Sequence, residues 1–72
     1  MSDTHTIQIQ INGETHRVAT GGSLIDLMTS LGLPPQAALV EYNGKALLRA
    51  EWRDVALAEG DRLEVMRVVA GG

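Results

Sequence analysis

The sequence predicts an α+β fold in which a mixed sheet of four to five strands carries one main helix on one face. Three observations carry this reading. Ile7, Ile9 and Ile11 alternate with Gln8 and Gln10 and run into Asn12-Gly13, the pattern of a half-buried strand entering a hairpin. A single helical stripe follows, with Leu24, Leu27, Met28 and Leu31 at i, i+3, i+4 and i+7. Beyond it the two-residue period returns at Val40 and Tyr42 and again at Leu63 and Val65.

The first strand runs from Ile7 to Ile11. Asn and Gly suit a type I′ turn because both central residues need positive φ, so Glu14 to Val18 should return antiparallel. Gly21-Gly22-Ser23 then breaks the strand pattern. Ser23 is a good helix N-cap, and Asp26 three residues on resembles the partner of a capping box, though with a shorter side chain than Glu. The helix should span about Leu24 to Leu31. Gly32 follows as the residue after the C-cap, and Pro34-Pro35 prevent continuation. Ala38 to Tyr42 reads as the third strand, Asn43-Gly44 as a second turn, and Lys45 to Leu48 as a short fourth strand. Arg49 to Asp54 reads as a helical turn. Glu59-Gly60-Asp61 is a turn into the last strand, Arg62 to Val69, with Leu63 and Val65 on one face and Met66 and Val68 on the other.

One helix must cover one face of the sheet, because nothing else is long enough. A hairpin, a helix and strands that return to the sheet describe a β-grasp, or ubiquitin-like, roll. The last strand should lie beside the first and parallel to it. The expected core is Ile7, Ile9, Ile11, Val18, Leu24, Leu27, Met28, Leu31, Val40, Tyr42, Leu63 and Val65. Residues 1–69 form the expected domain and 70–72 a flexible tail.

A chain of 72 residues has room for one small domain. Apolar residues make up 44% of it, enough for a core and too many for a disordered segment. No apolar run is long enough to span a membrane, and the start carries no secretory pattern, so the expected address is the cytoplasm. The net charge of −3 argues against an electrostatic nucleic-acid stripe and suits a basic protein partner, or plain solubility. Without cysteine there is no disulfide, iron–sulfur ligation or thiolate catalysis. His5 and His16, the two histidines, lack metal-ligand spacing, and no metal site is expected. There is no P-loop and no nucleophile elbow.

Chemistry therefore points to the terminal Ala70-Gly71-Gly72. Glycine lets a backbone approach a catalytic surface closely. Val69 to Gly72, fully extended, reaches at most roughly 13–14 Å, enough to enter a partner's cleft. A carboxylate is a poor electrophile, but an ATP-dependent partner can activate it as an acyl-adenylate. A sulfur nucleophile can then displace AMP and leave a thiocarboxylate, whose soft anionic sulfur is deliverable without any cysteine in the carrier. A Gly-Gly end is also what a simple frayed terminus looks like.

The chain resembles the ThiS family of sulfur carriers of thiamine thiazole biosynthesis. The resemblance is carried by Ile11 to Glu14, Ser23 to Met28, Leu31 to Leu33, Tyr42 to Lys45, Arg49 to Trp52, Glu59 to Asp61 and the Ala-Gly-Gly end. It departs from the family pattern at Leu47-Leu48-Arg49 and Ala50. The resemblance implies that Gly72 is adenylated by a ThiF-type adenylyltransferase, which uses ATP, and is converted to a thiocarboxylate with sulfur from a cysteine desulfurase or other donor. It implies delivery to a ThiG-type thiazole synthase. On this reading the chain is a monomeric protein cosubstrate, not an enzyme, and binds no cofactor itself.

Met66, Val68, Val69, Ala70 and Gly71 are the expected partner-binding residues. Met66 and Val68 point away from the expected core, where an apolar patch docks a partner or is partly covered by a loop. Arg67 falls in phase with Leu63 and Val65 but beyond the core edge. Trp52 belongs to the core or its edge. Gly21-Gly22-Ser23 reads as a loop with a cap rather than a phosphate site. The rival functions are a MoaD-type carrier for molybdopterin synthesis, an isopeptide-forming modifier, and a non-covalent binding module.

Overall fold

The computed structural model describes residues 5–68. Eight elements follow in order: β1 (Thr6–Ile11), β2 (Glu14–Ala19), α1 (Leu24–Ser30), a 3-10 turn (Pro35–Ala37), β3 (Ala38–Tyr42), β4 (Lys45–Ala46), a second 3-10 turn (Arg49–Asp54) and β5 (Arg62–Arg67). The five strands form one sheet in the order β2-β1-β5-β3-β4. β5 is central, parallel to β1 and antiparallel to β3. This is the β-grasp arrangement expected from the sequence.

Both Asn-Gly turns take the expected conformation, with φ of 52° at Asn12 and 51° at Asn43, each followed by a left-handed glycine. Asn43 does more than turn the chain. Its N–H donates to the Arg62 carbonyl and its Oδ1 accepts from the Arg62 N–H, both at 2.8 Å. β5 is thus pinned where it begins.

Helix α1 starts at Ser23, whose hydroxyl accepts from the Asp26 N–H at 3.2 Å. It ends in a Schellman arrangement. Leu33 N–H reaches the Met28 carbonyl at 2.9 Å and Gly32 N–H the Thr29 carbonyl at 3.0 Å, with Gly32 at φ 75°. This corrects one expected core residue. Leu31 sits at the C-cap and is 40% exposed. The reversal at Gly32 swings Leu33 back against the core in its place.

The fully buried centre comprises Ile9, Leu24, Met28, Ala38, Trp52 and Leu63, with Ile11, Val40 and Leu57 beside them. Ile7, Val18, Leu27, Tyr42 and Val65, expected in the core, are half-buried and pack around it. Trp52 comes from the second 3-10 turn, which packs against α1. Its Nε1–H is buried and has no hydrogen-bond partner among the described residues.

Two strands are shorter than expected. β4 stops at Ala46: it pairs Lys45 with Tyr42 and Ala46 with Glu41, and beyond it the Leu47 N–H still donates to the Val40 carbonyl at 3.0 Å. β5 stops at Arg67, opposite the first residue of β3. Arg67 is exposed, as expected for a residue past the core edge. No helix among the described residues is long and apolar enough to cross a membrane.

Candidate functional site

Sheet pleating decides which residues face the helix and which face outward. The single helix and the segment carrying Trp52 cover the face that bears Ile9, Ile11, Leu63 and Val40. The opposite face is open. Alternation places Leu39 and Glu41 of β3, and Glu64 and Met66 of β5, on that open face. The register sets Leu39 opposite Met66, and Glu41 opposite both Glu64 and Ala46. These residues line a groove of about 370 Å³ together with Val40, Leu47 and Val65.

Met66 is 65% and Val68 36% exposed. Val68 is also tied to the body, because its N–H donates to the Ala37 carbonyl at 2.8 Å. The chain therefore leaves the sheet from the centre strand, at the end of the open face that bears Leu39 and Met66. Val69, Ala70, Gly71 and Gly72, the remaining expected site residues, lie outside the described residues. Leu39, 52% exposed, was not singled out from the sequence. Its signal was available: it sits between the inward-facing Ala38 and Val40 and must point outward. The juxtaposition of Glu41 and Glu64 depends on a strand register that spacing alone does not reveal.

The turn that feeds β5 is held by a buried carboxylate. Asp61 is 6% exposed. Its Oδ2 accepts from the Tyr42 hydroxyl and from the Ala58 N–H, both at 2.8 Å, and its Oδ1 accepts from Asn43 Nδ2 at 3.1 Å. Burial, then this hydrogen bond, then the carboxylate's charge push the Tyr42 phenol above its ordinary value. Asp61 thereby positions the strand that leads to the exit segment, and nothing in this arrangement resembles a reacting group.

The Gly21-Gly22-Ser23 loop is occupied by the protein itself. Leu24 N–H donates to the Val55 carbonyl at 2.9 Å, and Leu57 N–H donates to the Gly22 carbonyl at 3.0 Å. Its reading as a capped loop matches this bonding. His16 lies 3.8 Å from Glu14 on an exposed edge, and no group of three or more His, Cys, Asp or Glu side chains converges among the described residues.

Comparison with known proteins agrees with this architecture. The crystal structure of the thiamine biosynthesis protein ThiS from Geobacter metallireducens superposes with a TM-score of 0.77 at 25% identity, over 92% of this chain and all of that one. A designed protein based on human erythrocytic ubiquitin shares the fold, with a TM-score of 0.53 at 20% identity over 94% of this chain and 96% of that one. Two curated relatives are thiazole synthases. That of Magnetococcus marinus is 35% identical over 66 residues, and that of Paramagnetospirillum magneticum 27%; each match takes in 92% of this chain and 20% of the relative. The chain thus spans about a fifth of the length of these relatives. The model of the ThiS family matches residues 8–72, nearly the whole sheet, its helix and the glycine pair, and the chain belongs to that family.

Proposed function

We propose that this ThiS-family domain is a sulfur carrier of thiamine biosynthesis, acting in the cytoplasm through the carboxylate of Gly72. A ThiF-type adenylyltransferase transfers AMP from ATP to that carboxylate and releases pyrophosphate. A persulfide on a donor such as a cysteine desulfurase attacks the acyl carbon and expels AMP. A thiol then cleaves the resulting acyl disulfide, leaving the thiocarboxylate on Gly72 and a disulfide on the donor side. A ThiG-type thiazole synthase accepts the sulfur. The folded body supplies recognition and the extended segment supplies reach, at most roughly 13–14 Å over its last four residues. The chain is a protein cosubstrate in this scheme and binds no cofactor; ATP is bound by the activating enzyme.

One observation carries the proposal: the family match extends through residue 72 and so includes Gly71-Gly72. The open face beside the exit of β5, with Met66 and Val68 uncovered, supports it as a place for a partner to rest. The test is the intact mass of the protein after incubation with ATP, an active ThiF-type enzyme and a sulfur donor. The expected result is a gain equal to one oxygen replaced by sulfur, localised to Gly72. An unchanged mass, with the same enzymes shown active on a known carrier, overturns the carrier reading and favours a non-covalent binding module.

A further inference from the structure

The open face holds an electrostatic conflict beside its apolar groove. Glu41 and Glu64 face each other directly across β3 and β5, a placement that destabilises a sheet when the charges are alike. Arg62 stands two residues before Glu64 and lines the adjoining hollow with both glutamates, yet among the described residues neither glutamate forms an ion pair. Next to them Leu39 and Met66 form an exposed apolar cross-strand pair.

We infer that Glu41 and Glu64 together receive an Arg or Lys side chain from the thiazole-synthase partner, which also seats an apolar side chain between Leu39 and Met66. The inference rests on the carrier reading above and specifies the chemistry of its docking face. A guanidinium between two carboxylates forms charge-assisted bonds to both and removes their mutual repulsion. The cation is thus favoured by more than its own contacts. The position also fits. The face ends at Val68, and an enzyme that takes up Gly72 must lie within the short reach of the intervening residues. The similarity of this chain to one-fifth of two thiazole synthases places a domain of this kind in the same chain as such an enzyme there. A second copy of this chain is a poorer occupant, because a two-fold contact through this face brings four carboxylates together.

The experiment is calorimetric titration of the full chain into the ThiG-type synthase from the same source organism, at low and high salt. Three proteins are compared: the native chain, Glu41→Gln/Glu64→Gln, and Asp54→Asn as an exposed control on another element. The double variant should keep or raise its melting temperature, weaken binding about tenfold or more, and lose most of the salt dependence. Asp54→Asn should match the native chain. Native-like affinity and salt dependence in the double variant overturn the inference, as does a native chain that fails to bind. The mass assay for the thiocarboxylate is run on the same proteins. If sulfur is gained normally but binding ignores the glutamates, the docking inference alone fails. If binding follows the glutamates but no sulfur is gained, the carrier reading alone fails.

Discussion

The side-chain amide of Asn12 stands in for a missing strand residue opposite Val65. Its Oδ1 accepts from the Val65 N–H at 2.8 Å and its Nδ2 donates to the Val65 carbonyl at 3.2 Å. β1 ends at Ile11, paired with Leu63, and its chain turns away while β5 continues. Asn12 satisfies the backbone groups left behind, and it does so from a left-handed φ of 52°. Replacing Asn12 with Gly keeps the turn and removes both bonds, and should cost about 1 kcal/mol. Replacing it with Ala adds the left-handed penalty of roughly 1–2 kcal/mol. Urea melts of the two variants separate the contributions, and equal stabilities would show that the turn relaxes around Ala.

Asp61→Ala should destabilise by about 1–3 kcal/mol, because the Tyr42 hydroxyl, Asn43 Nδ2 and Ala58 N–H lose their shared acceptor in a part-buried site. Asp61→Asn should recover only part of this. An amide has one acceptor oxygen: placed where Oδ2 lies, it keeps the Tyr42 hydroxyl and the Ala58 N–H, but its NH₂ group then meets the Asn43 Nδ2 donor and cannot accept from it. Chemical denaturation of both variants checks the order.

Tyr42 makes stability fall at alkaline pH. Its phenol titrates above its ordinary value in the folded chain, so the folded state keeps a proton that the unfolded state loses near pH 10. The associated stability is complete below about pH 10 and is lost as the pH rises through the folded value. Tyr42→Phe should be less stable at neutral pH, by about 1 kcal/mol for the lost hydrogen bond. The gap to the native chain should narrow above pH 10. A constant gap across that window would assign the effect elsewhere.

The helix stripe is narrower than its spacing implies. Leu24→Ala and Met28→Ala should each cost about 2–5 kcal/mol, since both side chains are fully buried. Leu31→Ala should cost about 0.5 kcal/mol or less, as expected of a surface position. Thermal melts that ranked Leu31→Ala with the other two would restore it to the core.

Met66→Asp should leave the melting temperature almost unchanged while weakening partner binding, because the side chain is 65% exposed and its cross-strand neighbour Leu39 is itself exposed. A large fall in melting temperature would make Met66 structural. Appending one residue after Gly72 should abolish adenylation by moving the acyl carbon out of register. Activation at the native rate would sink the assignment of Gly72.

The strands, both turns and the helix were legible because each rests on local chemistry: two-residue alternation, Asn-Gly at positive φ, Ser23 as a cap and Gly32 as a stop. The same locality explains the misreading of Leu31. Periodicity counted it inward, but the reversal at Gly32 hands its place to Leu33. Asp61 looked like an ordinary turn residue, since its partner Tyr42 lies 19 positions away and arrives only through the fold. Leu57 and Ala38 were missed as core for a related reason. Leu57 belongs to no periodic run that marks its face, whereas Ala38 is in phase with Val40 and Tyr42 but is a small residue at the first position of its strand, and only the fold shows it fully buried. The exposure of Met66 and Val68 was legible by alternation along one strand. Glu41 facing Glu64 needed the pairing of two strands with β4 and the second 3-10 turn between them in the chain.

The parallel pairing of β1 with β5 at the middle of the sheet gives the domain a mechanical character. Tension applied between the start of β1 and the segment beyond Val68 pulls these two strands in opposite directions along their shared axis. The backbone bonds from Gln10 to Asp61 and from Asn12 to Leu63, and the Asn12 amide on Val65, then share the load in shear and do not open one at a time. A machine that threads the chain from its Gly72 end meets this resistance at once. Under the proposed carrier role, the Gly72 end can therefore be gripped and released without the domain being pulled apart.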